Sequence, residues 1–152
     1  MTAGRSIPLS KFYIAKPTDP VSRINVALAQ GKNLLFSPGV YDVDRTILVQ
    51  RPDTVVLGLG HATLTAQKGA TPLRIADRPG IVVAGLTVDA GPKLSPVLLQ
   101  VGQARGHAWG RTSSTRDPIT LSDVYFRVGG PHVGKAVTAL EINADHVLVD
   151  HT

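Results

Sequence analysis

GIVVAGLTVDAG, residues Gly80 to Gly91, packs a short apolar run, a small residue at Gly85, a second apolar pair at Leu86 and Val88, and then Asp89 into twelve positions. That is too few residues for a helix and too regular for a loop, so the stretch reads as one corner of a coil. The pattern recurs as TVVLGLG at 54–60, ITLSDVYFRVG at 119–129 and HVLVDHT at 146–152. Aligning the residue after each first run gives anchors at Gly58, Gly85, Asp123 and Asp150, spaced by 27, 38 and 27 residues. Two equal spacings around a longer one describe a repeat with an insertion between its second and third copies.

Downstream of each of the first three anchors comes another short strand-like run: LRIAD from Leu73, VLLQV from Val97 and VTALEIN from Val137. Each leads into the next copy through a polar or Gly/Pro turn, so every rung has at least two faces. Short strands repeating without helices between them predict a right-handed parallel β-helix, in which a rung buries its inward side chains only by stacking on its neighbours. A sandwich or barrel is the other all-β arrangement of such runs. The register is open by one residue on the sequence alone, and a slip of one exchanges inward for outward side chains.

Composition agrees with this class. At 152 residues and 43% hydrophobic the chain can bury a core as one domain, and 15 Gly and 11 Pro punctuate its Val, Leu, Ile and Thr. The absence of Cys excludes disulfides, thiolate metal sites and cysteine nucleophiles. The net charge of +5 raises nucleic acid as a partner, but the basic residues are scattered singly, without runs or interleaved aromatics, so none is expected. No apolar run approaches a membrane span and no signal-peptide pattern opens the chain, so no membrane partner is expected either.

In chain order, residues 1–18 form a leading segment with a first strand around Phe12, Tyr13 and Ile14. Residues 19–31 form the one convincing helix, with Asp19 at the N-cap, Pro20 in first position, Gly31 just past the end, and Val21, Ile24 and Leu28 on one face. Its expected role is to cover an end of the coil, where unpaired backbone would otherwise recruit other chains. Residues 32–152 are the rungs, beginning with strands at Leu34 to Phe36, Val40 to Val43 and Thr46 to Val49. A helix followed by Gly-Lys-Asn, an apolar strand and Pro-Gly-Val-Tyr resembles the opening of the pectin-lyase-like parallel β-helices, a superfamily of polysaccharide lyases and glycoside hydrolases. RPDTVVLGLGHATL, SPVLLQVG, LSDVYFRVGG and ADHVLVDHT resemble secreted actinobacterial proteins related to β-helical glucanases, some joined to discoidin-like (coagulation factor 5/8 type) domains.

The resemblance implies an extracellular, polysaccharide-active protein of glycoside hydrolase type and the glucan class. Its competitor is a non-catalytic carbohydrate-binding or structural stalk. An enzyme should gather two or more acids and an aromatic on one exposed groove, and a stalk should scatter them. Proteins of this kind continue with further rungs beyond a segment such as DHVLVDHT, which makes the chain an N-terminal part with an incomplete active site. An uncovered terminal rung predicts self-association. No cofactor is expected.

Glycoside hydrolysis needs two carboxyl groups across the scissile bond, about 5–5.5 Å apart for retention and about 6.5–9.5 Å for inversion. Rungs stack about 4.8 Å apart, so acids on neighbouring rungs can form the pair. Asp123 and Asp150 are the sharpest candidates because the alignment gives them one place in consecutive copies. Asp89, Asp145 and Glu141 are further acids, with His146 and His151 as proton carriers. The competing role for such residues is structural, since Asp at a strand end commonly bonds turn backbone. The insertion Val101 to Asp117 holds Trp109, His107 and Arg111, which suit a sugar-binding wall: an indole can stack on a sugar ring and an Arg can bond hydroxyls.

Gly129 to Ala136, GGPHVGKA, approaches a phosphate loop, but Ala136 replaces the required Ser or Thr and a strand follows in place of a helix. No metal site is expected either. His61, His107 and His132 stand apart, His146 and His151 lie five apart, and the only local acid cluster runs from Asp145 to Asp150.

Overall fold

The structure, a computed structural model, describes residues 4–103 and 110–152. A 3₁₀ turn at Leu9–Lys11 leads into β1 (Phe12–Ala15) and then α1 (Val21–Ala29). The first complete rung is β2 (Asn33–Phe36), β3 (Val40–Val43) and β4 (Ile47–Val49). The second is β5 (Val55–Gly58), β6 (Thr63–Ala66) and β7 (Leu73–Ile75). Two longer strands make each later rung, β8 (Val82–Asp89) with β9 (Ser95–Val101), then β10 (Ile119–Arg127) with β11 (Ala136–Ile142). β12 (Val147–Asp150) follows.

Every pairing is parallel. One sheet runs β1-β2-β5-β8-β10-β12 with β3 and β6 alongside, and the other runs β11-β9-β7-β4. The chain is a parallel β-helix. β8 pairs with β5 through Val82 to Ala84 and with β6 through Thr87 to Asp89, so one strand spans what the preceding rung divides in two. The corner shrinks to Gly85, whose φ of 75° lets a single residue make the turn.

Inward columns follow from the register. Leu34, Val56, Val83 and Leu121 stack across four rungs on one side, and Ile47, Leu73 and Leu99 stack on the other, all at 0% exposure. Phe36 meets Tyr41 edge to face at 4.9 Å. The Tyr41 hydroxyl, 2.7 Å from the Ser37 carbonyl and 2.9 Å from the Ala15 carbonyl, finds its partners on backbone as a buried phenol must.

α1 buries Val21, Ile24, Ala27 and Leu28 and packs on β1, β2 and β4. Its boundary differs from the expectation: Pro20 holds the N-cap place, and Asp19 instead accepts from the Tyr13 hydroxyl at 2.8 Å and from the Lys16 amide at 3.1 Å. The carboxylate is taken up by this local turn, so it does not cap. Asn25 reaches β4, donating to the Thr46 carbonyl at 3.0 Å and accepting from the Leu48 amide at 2.9 Å. The side chain thereby supplies what a neighbouring strand would offer at that edge.

Candidate functional site

The most concentrated exposed chemistry lies where β10 and β12 reach their corners. Val147 and Val149 stack on Ile119 and Leu121, which pairs Leu148 with Thr120 and Asp150 with Ser122. Asp150 therefore does not share the place of Asp123, and the expected equivalence is corrected by one residue. Continuing the register puts His151 opposite Asp123, and both have φ of 51°, the left-handed corner conformation that Gly85 adopts in the preceding rung. Three apolar residues in a row, Val147 to Val149, conceal this frame in the sequence. The pairing of β12 with β10, with Val147 packed against the core, selects it.

The shift brings the three residues together all the same. His151 Nδ1 stands 3.7 Å from Asp123 Oδ1 and 3.5 Å from Asp150 Oδ2. One imidazole nitrogen thus lies between two carboxylates at ion-pair range. All three side chains are more than half exposed, at 72%, 57% and 67% for His151, Asp123 and Asp150. Asp145 and His146 lie exposed in the turn before β12, where the His146 carbonyl accepts from the Ile119 amide at 3.0 Å.

A family model described as the LAM55 pectate lyase-like domain matches residues 12–152. The chain belongs to this LAM55 family. An exo-beta-1,3-glucanase of Streptomyces sp. (strain SirexAA-E / ActE) is 44% identical over 149 residues, covering 98% of this chain and 24% of the relative. The structure of sacteLam55A from Streptomyces sp. SirexAA-E superposes with a TM-score of 0.92 at 45% identity, over 99% of this chain and 27% of that one. A variant of that protein in complex with glucose matches at 44% identity and a TM-score of 0.92, over 100% and 27% of the two chains. The chain spans about a quarter of the length of these relatives.

Elsewhere in this LAM55 domain the remaining candidates are occupied by structure. Asp89 is fully buried, and its Oδ2 accepts from Arg127 Nη2 at 2.7 Å and meets His132 Nε2 at 2.9 Å. Burial alone would raise its pKa, but the hydrogen bonds and charges of Arg127 and His132 outweigh that and hold it below the ordinary carboxylate value. An enclosed, paired carboxylate cannot reach a glycosidic oxygen, so Asp89 leaves the list of catalytic acids. The glycine-rich turn that imitates a phosphate loop has this use: it lays His132 over Asp89. The second ring nitrogen, Nδ1, is 3.2 Å from the Val133 carbonyl.

Glu141 lies on the second sheet, apart from the Asp123 corner. It continues an outward ladder in which Arg74 donates to Gln100 at 2.6 Å, Gln100 donates to Glu141 at 2.9 Å and Asn143 donates to Glu141 at 2.8 Å. The hydrogen bonds from Gln100 and Asn143 hold the Glu141 pKa below its usual value.

Arg111 is exposed and bonds Asp117 at 3.0 Å. The returning limb of the insertion is tied to the coil where Asp77 accepts from the Ser113 amide at 3.0 Å and its hydroxyl at 2.5 Å. His107 and Trp109 lie outside the described residues.

Proposed function

We propose that this chain is a glucan-contacting β-helical part of an extracellular, glycoside hydrolase-like protein active on β-1,3-linked glucan, and that Asp123, Asp150 and His151 contact the sugar. The observation that carries the reading is two exposed carboxylates each within 4 Å of one imidazole nitrogen on one corner of a LAM55 domain. The identity to an exo-beta-1,3-glucanase supports the polymer class. Carboxylates accept from vicinal hydroxyls, and an imidazole can donate to a ring or hydroxyl oxygen. The pair lacks the apolar enclosure that a general acid uses, which favours hydroxyl binding over proton donation within this piece. A polymer too large to cross a membrane supports action outside the cell, and detection of the protein in culture medium is the corresponding check.

The test is binding of a β-1,3-linked glucohexaose to the chain, followed by calorimetry. Asp123→Asn with Asp150→Asn is expected to weaken affinity about tenfold, the loss of charge-assisted bonds to hydroxyls. Unchanged affinity in the double variant ends the reading. If the two acids instead perform the chemistry, the same substitutions in a full-length LAM55 glucanase lower kcat and leave KM in place.

We also propose the division into a leading strand (1–18), a helix that closes one end (19–31) and the rungs (32–152). The contact of α1 with β4 through Asn25 supports the closing role. At the other end, Leu148 and Val149 are 58% and 43% exposed on β12, which supports self-association of the isolated chain through that rung. Sedimentation velocity is expected to show dimer growing with concentration, and a monomer at every concentration tested removes this part.

A further inference from the structure

We infer that Tyr125 is the aromatic platform on which a glucose ring stacks beside the Asp123 corner, an inference that rests on the glucan reading above. Val124 is fully buried and Phe126 packs against the core, so strand alternation directs Tyr125 to the outer surface, where half of it is exposed. Of the three tyrosines, Tyr41 and Tyr13 give their hydroxyls to internal partners, Ala15 and Ser37 in one case and Asp19 in the other. Tyr125 makes no such bond among the described residues, and its hydroxyl remains available to a ligand.

The surroundings match a pyranose. The register sets Thr87 beside Tyr125 on the neighbouring rung and Thr63 on the rung beyond. These small side chains leave a shelf in line with the ring. Asp123 stands two residues earlier on the same strand, a separation of about 7 Å, close to the width of one sugar unit plus its hydroxyls. A glucose ring offers an apolar C–H face to an aromatic and a rim of hydroxyls to acids. Tyr125 provides the first surface, and Asp123, Asp150 and His151 provide the second. An exposed tyrosine with no hydroxyl bond among the described residues has no evident structural use here, and it is rigid enough to bind at small entropic cost.

The experiment uses the whole chain with a β-1,3-linked glucohexaose, reading affinity by calorimetry and ring contact by saturation-transfer NMR. Tyr125→Ala is expected to weaken binding about tenfold and to abolish saturation transfer from the aromatic protons, whereas Tyr125→Phe stays within about twofold of wild type. The Phe variant separates ring stacking from hydroxyl bonding. If Tyr125→Ala binds as wild type while the Asp123→Asn/Asp150→Asn variant is weakened, the platform is refuted and the glucan reading stands. If no variant weakens binding, or the wild type does not bind, both are refuted.

Discussion

Gly85→Val is expected to keep the chain from folding cooperatively, and Gly85→Ala to lower its stability by roughly 2–5 kcal/mol. Two separate costs meet at this residue. Its φ of 75° lies in the left-handed region, which costs an ordinary L-residue about 1–2 kcal/mol and suits a β-branched side chain least. A Cβ added there would also stand 2.6 Å from the Gly58 carbonyl oxygen on the neighbouring rung. That atom is backbone at the end of β5, where Gly58 pairs with Phe36 of β2, so it cannot swing away as a side-chain tip would, and forced entry into packed structure costs about 1–3 kcal/mol. Against a total stability of about 5–15 kcal/mol this is a large share, and the alanine variant should melt on the order of 10 °C lower.

The companion variant is Asp123→Gly. Asp123 makes the same left-handed turn one rung later but already carries a Cβ, so relief of backbone strain and the added freedom of the unfolded chain should nearly cancel. Thermal melts of the three proteins check this. A Gly85→Ala protein that melts with wild type would show that the backbone approach at this corner does not limit packing.

The contrast between these corners explains what the sequence could and could not disclose. Repeat, strand content and the place of the insertion were legible because apolar alternation and turn residues are local signals, and β5, β8, β10 and β12 fall where the copies were aligned. The last frame was not legible. Val147-Leu148-Val149 presents an apolar residue to the core in either register, so the choice between Asp150 and His151 as the partner of Asp123 depended on contacts with Ile119 and Leu121.

Arg127 and His132 were missed for a different reason. They lie 38 and 43 residues from Asp89, and nothing near either one announces an acid. One signal did exist. The 38-residue step between the second and third anchors is also the step from Asp89 to Arg127, which the register pairs directly. Carrying that step along the strand would have set opposite charges face to face. Tyr125 is similar: alternation with Val124 and Phe126 marks it as outward, but an outward tyrosine becomes a candidate only when its neighbours are known. The bonds among Arg74, Gln100 and Glu141 likewise depend on the second sheet's register.

Arg127→Met is expected to destabilise the chain by roughly 2–4 kcal/mol at neutral pH, and by more than Asp89→Asn does. The inequality follows from where each partner sits. Asp89 is fully buried, and one of its oxygens, Oδ1, already lacks a partner among the described residues, whereas Arg127 is 45% exposed. Removing the arginine strands a buried carboxylate with His132 alone, the costly way to break such a pair. Its exposure keeps the figure below that for a fully enclosed pair. Removing the acid's charge leaves a guanidinium that water can solvate, so Asp89→Asn should cost only about 1–2 kcal/mol.

Acid supplies the second half of the test. The folded Asp89 pKa is lowered, so its contribution is fully present above the unfolded carboxylate value near 3.9 and is lost as the pH falls through the lower folded value. In Arg127→Met the carboxyl loses that protection and protonates earlier on the way down. The stability gap between variant and wild type should therefore be widest at neutral pH and should close once the pH has passed below the wild-type Asp89 value. Urea melts of the three proteins from pH 7 to pH 3 measure this. A gap that stays constant with pH, or an Asp89→Asn protein less stable than Arg127→Met at pH 7, would mean that the turn over Asp89 is held by packing of the 128–135 segment and not by charge.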